Sequence, residues 1–229
     1  MFYHFHPYEP FIPVNATKLI VGTLPPPRFC TKDLKTGDVD FCYGSIDGQL
    51  WPILDSIFKL NLKFETTDEA IHQRKVFLES RGIGICDIVA SAERNKIDAS
   101  DLGMQNVKLR DLIGYLHRHP KIDTLLFTGG NSKNGPEYFF RRHLKEYGLT
   151  LEVISDEVPR IHQFVIAMPR PRQKQSAKEE RIIKTVSLTA PSGAANRAVG
   201  SLPLYKKLKD ADPRFNTIDF RVMQYREFF

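Results

Sequence analysis

The chain has 229 residues, 41% of them hydrophobic, and a formal net charge of +6, which suits one large globular domain or two small ones and is compatible with a polyanionic partner. Three cysteines without Cys-x-x-Cys spacing argue against a disulfide framework or a zinc finger. The N-terminus has no basic segment followed by an apolar one, and no apolar run reaches about 18 residues, so we expect a cytoplasmic protein with neither signal peptide nor membrane partner.

The first predicted element is a buried strand over Lys18–Thr23. At Pro25–Pro27 it opens into a stiff, extended loop, since proline has a fixed φ and no N–H. The loop continues through a Gly- and Asp-rich stretch, and long ordered loops are often functional, so residues 23–48 are a candidate wall for a pocket. Apolar residues at helical spacing then predict helices that begin near Leu50 and cover about Asp68–Ser80.

The rest of the chain alternates between apolar runs and amphipathic segments. Strands are predicted over Ile83–Val89, Lys121–Gly130, Leu149–Ser155, His162–Pro169 and Thr185–Ala190, and helices over Val107–His117, Gly135–Gly148, Leu202–Leu208 and Ile218–Glu227. The strongly charged stretch 169–184 is expected to be an exposed loop or arm.

Strands that alternate with helices predict a mostly parallel sheet covered on both faces. In such sheets the ligand site lies beyond the carboxyl ends of the strands. The loops 23–48, 129–135 and 191–201 should therefore lie together.

Five segments of the sequence carry a resemblance to a known family. They are, in chain order, "HPYEPFIPVNATKLIVGTLPPP", "FCYGSIDGQLWPIL", "GIGICDIVASAERNKIDASD", "IDTLLFTGGNSKNGPEYFFRRH" and "APSGAANR". In this order they resemble the uracil-DNA glycosylase superfamily, nearest its hypoxanthine-DNA glycosylase-like branch, with some similarity to the mismatch-specific uracil-DNA glycosylases.

The resemblance implies an α/β fold in a single domain over residues 1–229, a three-layer α/β/α sandwich with a central four-stranded, mainly parallel sheet. It implies a DNA glycosylase of base excision repair, which flips a deaminated base such as uracil or hypoxanthine out of DNA and hydrolyses its N-glycosidic bond. The implied partner is DNA, duplex or single-stranded. No metal, organic cofactor or obligate protein partner is expected.

The resemblance also implies a base-binding pocket. Tyr43 stands where the family has the aromatic ring that stacks on the flipped base, although an ordinary half-buried loop tyrosine is the alternative. Backbone N–H groups around Thr23 and Leu24 would hold the carbonyl oxygens of the base, in the manner of an oxyanion hole. Gly22 and Pro25 complete this pocket, unless the prolines merely end the strand.

At the catalytic positions the sequence departs from the family. Leu24 and Gly48 occupy the positions at which relatives have Asn, and Asp47 is the nearest available carboxylate. Asp47 is therefore the candidate for positioning the attacking water. Asp-Gly is also a good turn dipeptide, which leaves loss of activity as the alternative.

The second family-like motif, Pro191–Arg197, is expected to enter the minor groove of DNA. Ser192, Gly193, Asn196 and Arg197 would contact phosphates or the opposite base, although a helix-capping Ser-Gly turn is the alternative. Two other functions stay open: a glycosylase-like protein that binds nucleic acid without cutting it, and a hydrolase that acts on free nucleosides or nucleotides.

Overall fold

A mixed six-stranded sheet forms the centre of the computed structural model, which describes residues 1–167 and 180–229. Two sheets are present within these ranges. The strands are β1 (Phe2–Phe5), β2 (Lys18–Val21), β3 (Ile83–Ile85), β4 (Val89–Arg94), β5 (Gln105–Leu109), β6 (Thr124–Phe127), β7 (Glu152–Ser155), β8 (Arg160–Ala167) and β9 (Glu180–Ser187). The helices are α1 (Pro27–Thr31), α2 (Leu50–Phe58), α3 (Asp68–Arg81), α4 (Leu112–Arg118), α5 (Pro136–Glu146), α6 (Asn196–Ser201), α7 (Pro203–Ala211) and α8 (Thr217–Arg226).

The large sheet has the strand order β3-β2-β6-β9-β8-β7. The first four strands are parallel, and β8 and β7 are added in antiparallel pairings. The α/β class is therefore confirmed, while the expected count of four strands is wrong because the hairpin of β7 and β8 joins the sheet through β9. A second sheet is antiparallel, with the order β1-β4-β5.

Helices cover both faces of the large sheet, because its strands carry apolar side chains on both faces, as strand β2 illustrates. Leu19 and Val21 point into a core with residues of α4 and α5, whereas Ile20 points into a second core with residues of α2, α3 and α8. All three side chains are fully buried, and burying a side chain of this size contributes roughly 1.5–3 kcal/mol. A strand that is apolar on both faces needs such a cover on both sides.

Four local expectations are corrected by the structure. The proline stretch does not stay extended, because Pro27 begins the short helix α1, a position that the fixed φ of proline suits. The apolar run Ile83–Val89 is not one strand: β3 ends at Ile85, and Val89 begins β4 in the second sheet.

The other two corrections concern residues that lie in strands, although the sequence predicts a helix or a loop for them. The segment Val107–Leu109 belongs to β5, and helix α4 begins only at Leu112, after Asp111 caps it by accepting a hydrogen bond from the Gly114 N–H. Residues 180–184 of the charged stretch form the start of β9, because they pair with β8. The rest of that stretch, from 169 to 179, lies outside the described residues.

Within the two described ranges, no helix is both long enough and apolar enough to span a membrane.

Candidate functional site

A cleft of about 440 Å³ opens beyond the carboxyl ends of β2, β6 and β9. The loop that follows β2 and the loop that follows β9 form two of its walls, and they touch: Gly48 and Ser192 form an isolated β-bridge, and the Gln49 N–H donates to the Pro191 carbonyl over 2.9 Å. These loops are separated by more than a hundred residues in the sequence. The sheet topology is what brings them to the same edge.

Most of the residues predicted for the site line this cleft. They are Thr23, Leu24, Pro25, Tyr43, Asp47, Ser192 and Gly193. The other three predicted residues do not line it: Gly22 is buried beneath it, and Asn196 and Arg197 lie on α6, just beyond the second wall. Most of the predicted site is thus assembled in one place; of its four DNA-binding residues, Ser192 and Gly193 line the cleft, whereas Asn196 and Arg197 lie outside it.

The floor of the cleft is built around Gly22 and Tyr43. The Tyr43 hydroxyl is 3.0 Å from the Thr128 Oγ1, and a Cβ atom at Gly22 would collide with that hydroxyl. Glycine at position 22 therefore leaves the space into which the tyrosine reaches. Burial raises the pKa of Tyr43 well above its ordinary value, so its hydroxyl stays neutral.

Asp87 supports this floor from below. Its Oδ1 accepts the Gly22 N–H over 2.9 Å, and its Oδ2 is 2.9 Å from the His6 Nε2, so both carboxylate oxygens are engaged. His6 was missed by the sequence analysis. One signal was available: His4 and His6 alternate with aromatic residues at the start of the chain, and such alternation in a strand directs both side chains to the same face.

The predicted catalytic residue Asp47 lies at the exposed rim of the cleft. Its side chain is 63% exposed, and its Oδ2 is 3.2 Å from the Arg28 Nη2 and 3.1 Å from the Lys35 Nζ. Arg28 is itself held by Asp38, whose buried carboxylate also accepts the backbone N–H groups of Lys35 and Ile46. The rim around Asp47 is therefore tied together by a network of ion pairs.

A third carboxylate that lines the cleft, that of Asp101, was missed by the sequence analysis. Its Oδ1 accepts the Thr23 hydroxyl over 2.8 Å, although 78 residues separate the two in sequence. Burial raises the pKa of Asp101 from 3.8 to about 6, against the opposing effect of the Thr23 hydrogen bond. Within the described residues Asp101 forms no ion pair. No local pattern indicates such a residue, since only the fold brings it beside the first wall.

The upper part of the cleft offers hydrogen-bonding groups that no other described residue uses. The N–H groups of Thr23 and Leu24 donate to no other group of residues 1–167 and 180–229. The Gln49 Oε1 is likewise without a hydrogen-bond partner in these ranges, and Gln49 lines the cleft. Buried polar atoms are almost always paired in folded proteins, so the unpartnered Gln49 Oε1 in the lining of the cleft suits a polar ligand.

The second wall is fixed by helix α8. Arg221 is fully buried and donates to the carbonyls of Ala190 and Ser192 over 2.8 and 3.1 Å. It also donates to the Asn196 Oδ1 over 2.9 Å, so the amide oxygen of Asn196 points inward and is not free for DNA. Arg197, the next residue, is exposed.

A second cavity of about 400 Å³ adjoins the cleft. The two share Asp101, Thr128 and Ala190, and Arg160 lines the far part. The Arg160 Nη2 donates over 2.6 Å to the buried carboxylate of Glu137. The cleft therefore borders a neighbouring cavity whose lining includes a cation.

These features define a class: an α/β protein with a cleft at the carboxyl ends of its parallel strands. Comparison with protein-family models, with curated proteins and with solved structures found no match.

Proposed function

We propose that this chain is a DNA glycosylase that excises a deaminated base, uracil or hypoxanthine, by flipping the nucleotide and hydrolysing its N-glycosidic bond. The observation that carries the proposal is the cleft that the loops after β2 and β9 build together, with Tyr43 and two unused N–H groups on one wall and Ser192–Gly193 on the other. Its volume of about 440 Å³ is in the range of small-ligand pockets.

The base would be held by stacking and by hydrogen bonds. Flipping a nucleotide out of a duplex costs a few kcal/mol, and stacking of the base on the Tyr43 ring would return roughly 1–3 kcal/mol. Uracil and hypoxanthine both carry a carbonyl oxygen, and the N–H groups of Thr23 and Leu24 are donors for such an oxygen. The same donors would stabilise the negative charge that develops on the leaving base.

Bond cleavage builds positive charge on the sugar, and a carboxylate near that carbon would stabilise the charge and position the attacking water. Asp47, the candidate from the sequence, lies at the rim of the cleft. Two cationic side chains already engage it, which favours a role for other carboxylates of the site.

DNA contact is supported by the residues beside the cleft. Ser192 and Gly193 stand at its mouth, and the exposed Arg197 follows them on α6. Arginine and backbone N–H groups are common partners of phosphate oxygens, and the net charge of +6 favours a polyanion. The proposal extends to a uracil-DNA glycosylase-like α/β/α sandwich, with which the parallel strands β3-β2-β6-β9 are compatible.

The test is a cleavage assay on labelled oligonucleotides. Each carries one uracil, hypoxanthine, xanthine or mismatched thymine, as single strand and as duplex, and alkaline treatment then breaks the strand at any abasic site. We expect the wild type to cleave at least one substrate and Tyr43→Ala to lose most of that activity. Tyr3→Ala removes a tyrosine that is 56% exposed on β1 and serves as the matched control, with unchanged cleavage expected.

Absence of cleavage on every substrate would contradict the proposal. If the wild type then still shifts DNA in a gel, the chain is a nucleic-acid-binding protein without glycosylase activity. The ion pairs of Asp47 favour this alternative, because they engage the carboxylate that the sequence suggests for catalysis. A hydrolase of free nucleosides would release base from nucleosides in solution, and Arg197→Ala would leave that rate unchanged.

A further inference from the structure

The cleft holds a carboxylate that is better placed for catalysis than the one the sequence suggested. Asp101 lines both the cleft and the adjoining cavity, at the border that the two share. A nucleotide whose base occupies the cleft and whose backbone lies towards the adjoining cavity would have its sugar at this border. Asp101 would then face the sugar, where positive charge develops.

We propose that Asp101, and not Asp47, is the catalytic carboxylate of this site. This inference rests on the proposed glycosylase function and names the group that performs its central step.

The two carboxylates differ in their hydrogen-bond and ion-pair partners. Asp47 is mostly exposed and is held by Arg28 and Lys35, so its charge is screened by water and shared with two cations. Asp101 is held at one oxygen only, by the Thr23 hydroxyl. Its Oδ2 has no hydrogen-bond partner among residues 1–167 and 180–229, which leaves this oxygen for a water molecule.

The backbone around Asp101 is fixed, as a positioned general base requires. The Asn134 Nδ2 donates to the Asp101 carbonyl over 2.9 Å and to the Met104 carbonyl over 3.1 Å. Asn134 is buried and lies in the glycine-rich loop that follows β6. The loop 129–135 thus contributes to the site by holding the segment that carries Asp101.

The acidity of Asp101 suits the same role. Burial raises its pKa to about 6, near the value at which a base is ionised at neutral pH and still accepts a proton readily. The charged groups that act on it are Arg94, which lowers the pKa, and Asp87, which raises it. Both effects are smaller than that of burial.

The step is a hydrolysis and balances without a cofactor. The oxygen of a water molecule held at the Asp101 Oδ2 forms a bond to C1′ of the sugar, and one proton of that water passes to the carboxylate. The C1′–N bond breaks, and its electron pair leaves with the base. The base anion, held by the N–H groups of Thr23 and Leu24, is then protonated from solvent, and the Asp101 proton returns to solvent.

The experiment compares Asp101→Asn with Asp47→Asn on the best substrate of the oligonucleotide panel, in single-turnover conditions between pH 5 and 8.5. We expect Asp101→Asn to lose 100-fold or more of the cleavage rate, the range of general-base contributions, and Asp47→Asn to lose less than about fivefold. The wild-type rate should rise with pH with a midpoint near 6. Gel shifts with an uncleaved abasic analogue show whether each variant still binds DNA.

A second variant protects the test against misfolding of the first. Thr23→Val removes the hydroxyl that lowers the pKa of Asp101, so the midpoint of its rate profile should move to higher pH while cleavage persists. If the wild type cleaves while Asp101→Asn keeps its rate, or Asp47→Asn loses it instead, this inference is wrong and the proposed function stands. If the wild type cleaves nothing, the proposed function fails and this inference fails with it.

Discussion

Replacing Asp101 by Asn should stabilise the folded protein while it removes activity. In the folded chain the Asp101 carboxyl has a pKa of about 6, against an ordinary value of 3.8, and burial is the main cause. A raised pKa means that folding opposes ionisation of this group. The amide of Asn has no charge to bury, and its oxygen can still accept the Thr23 hydroxyl.

The size of the effect follows from linkage. A shift of one pKa unit corresponds to about 1.4 kcal/mol, so the shift of roughly two units destabilises the wild type by about 3 kcal/mol once the pH is well above 6. Well below pH 3.8 the carboxyl is protonated in both states, and this contribution vanishes. Between these limits the folded state holds more protons than the unfolded state, so the stability of the wild type falls as the pH rises.

Urea unfolding at pH 4.5 and at pH 8 measures this directly. The chain has one tryptophan, Trp51, which is buried and reports unfolding by fluorescence. From pH 4.5 to 8 the free energy of unfolding of Asp101→Asn should rise relative to the wild type by about 2 kcal/mol. Asp47→Asn is the control, with a change of less than about 1 kcal/mol at either pH. If the difference in free energy of unfolding between Asp101→Asn and the wild type is the same at both pH values, the reasoning is refuted.

Three further predictions concern the cleft and its DNA-binding side. Gly22→Ala should lower the free energy of unfolding by about 1–3 kcal/mol, because the added methyl group collides with the Tyr43 hydroxyl and lies 2.9 Å from the Thr128 Oγ1. In Gly193→Ala the added methyl group meets nothing within 4 Å, so the same urea titration should show little change in this free energy. Tyr43→Phe should keep cleavage and lose about 1 kcal/mol of stability, while Tyr43→Leu should cleave about 10- to 100-fold more slowly; equal rates would exclude stacking. Arg197→Ala should weaken DNA binding and reduce the slope of log affinity against log salt by about 0.9, and an unchanged slope would show that Arg197 contacts no phosphate.

The elements that follow from local patterns were predictable. Helix α3 was predicted to begin at Asp68 and does so, and the strand predicted from Lys18 is β2. Both depend on features a few residues apart. The pattern of Thr66 with Glu69 indicates the start of the helix, although Thr67 is the residue that caps it in the structure, and β2 is an apolar run that is buried on both faces.

The second sheet was not predictable by the same means. Strand β4 ends in Glu93 and Arg94, and β5 contributes only the half-buried Val107 and Leu109 to the core, so neither has an apolar run that would mark it as a strand. Arg94 is nevertheless fully buried, since its guanidinium donates to the His4 ring on the neighbouring strand and to the Ser100 carbonyl. Pairing between distant strands decides these elements, and a single sequence does not record it.

The candidate site also has a part that the sequence predicts and a part that it does not. Its walls were predicted because parallel strands open at one edge, which is a rule of topology. The groups that make the walls rigid were not: the buried carboxylate of Asp38 gathers donors within the first wall, and the buried guanidinium of Arg221 gathers carbonyls within the second. Each lies in a segment whose local pattern predicts only a polar loop or a surface helix.

Rigid walls without regular structure are what the proposed chemistry needs. In the second wall the carbonyls of Ala190 and Ser192 each accept one backbone N–H, and the buried guanidinium of Arg221 is a second donor to both. Burial of this guanidinium removes its hydration and lowers its pKa. Arg221→Met would remove one of the two donors of each carbonyl and leave each with its backbone N–H alone, from Ser192 or from Ala195. We therefore expect this variant to loosen the wall, although Arg221 itself does not line the cleft. Site residues can thus be suggested by motif, but the geometry that makes them a site depends on buried charges that only the fold brings together.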